Sequence, residues 1–224
     1  MTNLFHGSEI IIEHPQYKKG RYANDYGRGF YLTHSAEMAA EWACGSGQDG
    51  FVNEYKLNEK GLSVLDLNSG EYTILNWLAV LTKYRSYWQR ASISERAKDY
   101  LQEHFFVDVE NFDVIKGYRA DDSYFSFAQD FISNAISYRK LRQAMYLGEL
   151  GEQTVLKSKK AFSKIVFVDY KQVDGEEYFE KRRQRDLKAK KDYRNLVGEA
   201  DKENDLYMLD IMREGMRHGD PRLQ

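Results

Sequence analysis

Proline and cysteine are nearly absent from this chain. Pro15 and Pro221 are its only prolines and Cys44 its only cysteine in 224 residues. A lone cysteine excludes an internal disulfide framework and fits a reduced compartment, so a cytoplasmic protein is expected. Next to Ala43, Cys44 reads as a small packing residue. With little proline and no Ser-rich tract, no linker divides the chain before its C-terminal region. No stretch reaches the roughly 20 apolar residues of a membrane span. The opening residues, MTNLFHGSEIIIEHP, carry neither a basic region nor a long apolar run, so no signal peptide is expected. Charge of one sign is also lacking. The formal net charge of −2 removes any global electrostatic case for nucleic acid or an anionic membrane. No His or Cys cluster has metal-ligand spacing, and no GxGxxG or P-loop pattern occurs, so no metal is expected.

Aromatic residues, by contrast, are plentiful: 17 Tyr, 12 Phe and 3 Trp in a chain that is 42% hydrophobic and 30% charged. That ring area can bury a sizeable core at roughly 25 cal/mol per Å². NLFHGSEIII reads as a short strand, a turn at His-Gly-Ser and a second extended piece. HPQYKKGRYANDYGRG is a polar, basic loop. GFYLT is a short strand leading into a helix, with Ser35 as N-cap and Glu37 in the first turn. Ala36, Ala39, Ala40 and Ala43 then form one small face that lets the helix approach a sheet closely.

FVNEYKL and LSVLDLN read as two strands joined by a turn. Residues 71–106 look helical. FDVIKGYRA is a strand candidate and YFSFAQDFI a helix candidate. A further helix begins at Ser137, with Ile136 and Leu141 placed as a hydrophobic staple, and ends near Gly148. EQTVLKS and KIVFVDY supply two more strands. From about Lys171 the character changes. Residues 171–205 balance acidic against basic side chains, as a solvated helix laced with ion pairs does, although 180–194 is locally basic. Leu206, Leu209, Met212 and Met216 then fall on one helical stripe. The order of strands, helices, strands and a helical tail gives an α+β fold, with a main domain at 1–170 and a charged helical extension at 171–224.

Two short stretches carry chemistry. His6 follows an apolar pair and precedes Gly7, and a glycine lets a ligand approach the backbone. Gly27 and Gly29 lead into Phe30 and Tyr31, which point to opposite faces of a strand. One ring can face the core while the other stacks on a flat heteroaromatic ligand.

Together the stretches Phe5-His6-Gly7-Ser8, Asp25-Tyr26-Gly27-Arg28-Gly29-Phe30-Tyr31-Leu32-Thr33 and Ala39-Ala40-Glu41-Trp42-Ala43 resemble the ADP-ribosyltransferase family of the His-Tyr-Glu type. More closely, they resemble a bacterial branch of small ADP-ribosyltransferase-like proteins, some of them thought to act as toxins. The resemblance covers residues 3–170. It implies a split antiparallel sheet with a helical insert and C-terminal helices, and NAD as co-substrate. By the same resemblance His6 would bond a ribose hydroxyl of NAD, the Gly7 backbone would take the carboxamide, and Tyr31 would stack on nicotinamide. Ser8 or Thr33 would contact ribose or phosphate, and Arg21 or a neighbouring basic residue would face the pyrophosphate.

The family's third element is a Glu or Gln at the start of a late strand. Here Glu152 and Gln153 stand together and must face opposite ways on a regular strand. Chemistry favours the carboxylate, the closer branch favours Gln153, and both stay open. Asp122, with Arg119 or Tyr124, would line the acceptor side or act as a base. The implied partners are a macromolecular acceptor, protein or nucleic acid, and a cognate antitoxin. NAD hydrolysis, or NAD binding without catalysis, are the competing expectations.

Overall fold

The computed structural model describes residues 1–85, 92–120, 122–147 and 151–224, with the Asp122 side chain outside that description. The expected helix end near Gly148 also lies outside the described residues.

Seven strands form one sheet: β1 (Thr2–Ser8), β2 (Phe30–Thr33), β3 (Gly50–Leu57), β4 (Val64–Asp66), β5 (Val114–Tyr118), β6 (Glu152–Leu156) and β7 (Ile165–Val173). Their spatial order is β4-β5-β6-β2-β1-β3-β7. Neighbours run antiparallel except the parallel β4–β5 pair. Eight α-helices accompany the sheet among the described residues, namely α1 (Ala36–Ala43), α2 (Ile74–Tyr84), α3 (Ser92–His104), α4 (Asp122–Ile132), α5 (Tyr138–Ala144), α6 (Lys159–Phe162), α7 (Gly175–Gly198) and α8 (Met208–Arg213). The fold is α+β, as the element order predicts.

The sheet is not evenly knit. Every residue of β1 has a partner on β3, and every residue of β2 has one on β6. Between β1 and β2, among the described residues, the only paired register is Phe5↔Thr33. The central joint is therefore thin, and the strands part on the His6 and Tyr31 side of it.

Residue alternation assigns the two faces. Val155 and Ile115 lie with Tyr26, Trp77 and the buried faces of α2 to α5 in the largest apolar cluster. Leu4, Leu32, Tyr55 and Leu156 form a second cluster on the other face, with Phe30 and Phe162 against it. Helix α2 is apolar nearly all round, and Ile74 to Thr82 are all buried. It is a core helix, as a helix that is apolar all round must be. Ser35 caps α1 by accepting the Met38 N–H at 3.1 Å. Ser137 caps α5 over the staple of Ile136 and Leu141, both buried.

Three expectations need correction. β1 runs unbroken through His6-Gly7-Ser8, because Gly7 is pressed against α1 and makes no turn: a Cβ there would stand 1.8 Å from the Ala39 carbonyl oxygen. β4 does not hairpin with β3. It pairs parallel with β5 at the far edge of the sheet, fixed by backbone bonds between Ser63 and Asp113. The C-terminal stripe is also out of phase. Helix α8 is short, and Met208, Ile211 and Met216 are the residues buried, with Leu206 and Met212 partly so. The 171–224 segment packs on the rest of the chain. Tyr193, Leu196, Met208 and Leu223 belong to the largest cluster, and Arg185 of α7 pairs with Glu41 of α1 at 2.6 Å.

A candidate ligand cleft at the thin joint of the sheet

Where β1 and β2 part, a side chain takes over the strand pairing. His6 Nδ1 lies 2.7 Å from the Tyr31 carbonyl oxygen. A carbonyl only accepts, so Nδ1 carries the hydrogen and Nε2 of the neutral ring is left as an acceptor. Burial lowers the His6 pKa below its usual value and outweighs the raising effect of the Tyr31 carbonyl, so the ring is neutral at physiological pH. Its other neighbour is the Phe30 ring, 4.5 Å away between centroids.

The segment after β1 crosses over this region and is tied down by β3. The Ile12 N–H donates to Asn53 Oδ1 at 2.8 Å, and the Tyr55 hydroxyl donates to the Ile12 carbonyl at 2.5 Å. Beneath it lies a cleft of about 680 Å³, lined by His6, Ile12, His14, Lys19, Phe30 and Tyr31 among others. Its size and its mixture of rings with a few polar groups suit an organic ligand.

Tyr31 is tied to the turn that precedes it. Gly27 has φ +72°, a left-handed conformation that glycine adopts without strain. The Tyr31 hydroxyl donates to the Gly27 carbonyl at 2.6 Å and accepts the Tyr26 N–H at 3.0 Å. Burial first, and the nearby Asp25 charge second, hold its pKa well above the usual phenol value. The hydroxyl is thus committed to the turn, the half-buried ring packs against the largest apolar cluster, and the Tyr31 carbonyl meets His6 beside the cleft. Lys157 steadies the same turn from the other side, donating to the Tyr26 carbonyl at 2.8 Å and to Glu110 at 2.7 Å.

Behind Tyr31 lies a closed polar network. Gln153 is buried, and its Nε2 donates to Asp25 Oδ2 at 2.9 Å and to the Tyr118 carbonyl at 3.1 Å. Asp25 Oδ2 also accepts the Ala120 N–H at 2.9 Å, and Oδ1 lies 3.0 Å from Arg85 Nε. Burial raises the Asp25 pKa, while Arg85 and the hydrogen bonds oppose that rise. The Tyr118 carbonyl accepts further bonds from the Tyr26 hydroxyl and Trp77 Nε1.

His6, Tyr31 and Gln153 therefore occupy three adjacent strands, β1, β2 and β6. Their side chains do not share one cavity. Gln153 stands in register with Thr33 on the face of Tyr31, and His6 faces the other way with Phe30 and Leu4. Glu152 is exposed and accepts a bond from Asn68 Nδ2 at 2.7 Å. Ser8 Oγ donates to the Ile10 carbonyl, and the buried Thr33 Oγ1 accepts the Ser35 N–H. Arg21 is exposed outside the cleft lining, where Lys19 stands instead. Arg119 lies over the Trp42 ring at 4.3 Å, and the Asp122 side chain is outside the described residues. Sequence reasoning missed Asp25, Arg85 and Lys157 as site residues. Asp25 carried one signal, its place in DYGRG, whereas Arg85 and Lys157 lie in ordinary helix and strand ends.

A family model described as "Protein of unknown function (DUF3990)" matches residues 2–167, and the chain belongs to that family. No curated protein and no solved structure matches. The matched region holds the cleft and the polar network and ends before α7.

Proposed function

We propose that this chain transfers the ADP-ribosyl group of NAD to a macromolecular acceptor, a protein or a nucleic acid. One observation carries the reading. A His, a Tyr and a Gln in the order of the His-Tyr-Glu pattern lie on neighbouring strands at a sheet joint with a single paired register, which opens into a cleft. The neutral His6 offers Nε2 to a ribose hydroxyl. In this reading the nicotinamide reaches across the open joint to the Tyr31 ring on the other face of the sheet, where a tyrosine face is a good stacking platform.

The reaction asks little acid catalysis of the protein. The bond between ribose C1′ and the nicotinamide nitrogen breaks, the electron pair goes to that cationic nitrogen, and neutral nicotinamide leaves. The sugar becomes oxocarbenium-like, and an acceptor oxygen or nitrogen attacks C1′ and loses a proton. Side chains contribute by orienting the dinucleotide and by offering acceptors to the electron-poor sugar. Such an activity would damage a cell's own macromolecules, so a toxin role with a cognate antitoxin belongs to the same proposal.

The test incubates the protein with NAD labelled in its adenosine half, in the presence of cell lysate, and follows nicotinamide and labelled macromolecules together. Release of nicotinamide with a labelled protein or nucleic acid is expected. Free ADP-ribose alone would make the chain a glycohydrolase. NAD binding without release would make it a binding module.

A further inference from the structure

A second cavity lies beside the ligand cleft, across residues 16–19. It encloses about 320 Å³, and Tyr17, Lys18, Tyr22, Arg28, Lys83 and Tyr84 are among its walls. The two spaces share Gly29, and the chain passes between them: Gln16 and Lys19 line the cleft, whereas Tyr17 and Lys18 line the second cavity.

Charge is the first feature that sets this cavity apart. Lys18, Arg28 and Lys83 are exposed, and among the described residues none of them has a carboxylate within ion-pair distance. The Glu110 carboxylate in the wall is already taken by the Lys157 ammonium at 2.7 Å and the Tyr84 hydroxyl at 3.0 Å. The whole chain carries a net charge of −2, so these cations make a local anion site and are no share of a generally basic surface. Rings are the second feature. Tyr22 stands edge-on to Tyr84 at 5.3 Å and is 55% exposed, so much of its surface is open to a ligand. Tyr17 meets Phe162 edge-on at 5.8 Å. Backbone strain is the third. Lys18 sits at φ +65°, a conformation that suits glycine and strains a lysine, and strain of this kind collects at ligand sites.

We infer that this cavity binds single-stranded nucleic acid, with phosphates at Lys18, Arg28 and Lys83 and a base on Tyr22, and that the bound strand is the acceptor of the ADP-ribosyl group. The acceptor half rests on the proposed transfer from NAD. Cations beside open rings suit a chain of phosphates with unpaired bases. A duplex turns its bases inward, and an acidic protein surface has no use for the rings. A strand seated here passes Gly29, next to the cleft. A nitrogen or oxygen of the strand would then attack C1′ of the NAD ribose. Nicotinamide leaves with the electron pair of the glycosidic bond, and the proton of the acceptor passes to water.

Fluorescence anisotropy with a labelled single-stranded oligonucleotide of about 12 nucleotides tests the site without NAD. Lys18→Ala and Arg28→Ala should each weaken binding about fivefold and lower the slope of log affinity against log salt by about 0.7, the share of one phosphate. Tyr22→Ala should also weaken binding about fivefold but leave the slope unchanged, because a stacked base releases no counterion. Arg21→Ala removes an exposed cation of the same loop outside this lining and should stay within about twofold of wild type. All four side chains are exposed, so the variants should keep the fold.

Equal weakening by Arg21→Ala and Arg28→Ala would overturn the site in favour of diffuse charge. Wild-type affinity in Tyr22→Ala, or heparin binding as tightly as the oligonucleotide, would overturn the assignment to nucleic acid. Competitive displacement of the oligonucleotide by NAD would overturn a site separate from the cleft. Mass spectrometry of the oligonucleotide after incubation with NAD should show an added ADP-ribosyl group. A protein that releases nicotinamide and leaves the bound strand unmodified would overturn the acceptor role alone. One that never releases nicotinamide would overturn the proposed transfer and the acceptor role with it, while the anisotropy still decides the binding site.

Discussion

The two edges of β2 are bonded in opposite ways. Along β6, every residue from Phe30 to Thr33 has a register partner, whereas along β1 only Thr33 does. The β6 edge is closed, and the polar groups beside it are buried around Asp25, which pairs with Arg85 and accepts from Gln153 and Ala120. The β1 edge is open, and one imidazole spans it through the Tyr31 carbonyl. The difference shows how one short strand serves two purposes. Its closed edge supplies rigidity, and its open edge leaves an acceptor, His6 Nε2, beside a cleft.

The largest effect should come from breaking the closed edge. Arg85→Met leaves the buried Asp25 carboxylate without its cation, a loss of about 3 kcal/mol, which for a chain of this size lowers Tm by about 10 °C in a calorimetric scan. Breaking the open edge should separate function from stability. His6→Ala is expected to cut nicotinamide release at least tenfold while Tm stays within a few degrees; a large fall in Tm with full specific activity would mean the imidazole only holds β1 to β2.

Acidification sharpens the same contrast. The folded His6 has a lowered pKa, so the unfolded chain takes up a proton first, near 6.5. The contribution of His6 is therefore complete above about pH 6.5 and falls as pH drops below it, since the unfolded state binds more protons there. NAD affinity should weaken only at lower pH, once the folded imidazole itself takes up a proton and loses its Nε2 acceptor. His6→Asn should lack both slopes in pH titrations of Tm and of binding.

Tyr31→Phe is a smaller change. It leaves the Tyr26 N–H and Gly27 carbonyl without the hydroxyl and should cost about 1–2 kcal/mol of stability in denaturant unfolding, with NAD affinity nearly intact because the ring remains. Arg21→Ala should change neither stability nor affinity measurably, since Arg21 is exposed outside the cleft lining.

Much of this was legible in the sequence. Local rules located the strands and the Ser35 and Ser137 caps, because each depends on a few adjacent residues. The alternation of Glu152 and Gln153 separated the exposed side chain from the buried one. What could not be read was long-range. That β4 lies beside β5 and not β3 depends on Ser63 meeting Asp113, 50 residues away. The unbroken course of β1 depends on α1 pressing against Gly7, and the phase of the C-terminal stripe on where α8 meets the core. Asp25 escaped notice for the same reason: its partners Arg85, Ala120 and Gln153 are scattered along the chain, and only the fold gathers them.

The most direct test of the open joint is a crystal structure with a non-hydrolysable NAD analogue. A ribose hydroxyl should lie within hydrogen-bond distance of His6 Nε2, with the nicotinamide reaching the Tyr31 ring through the open joint of β1 and β2. An analogue bound elsewhere on the molecule, with that cleft still filled by solvent, would contradict the account.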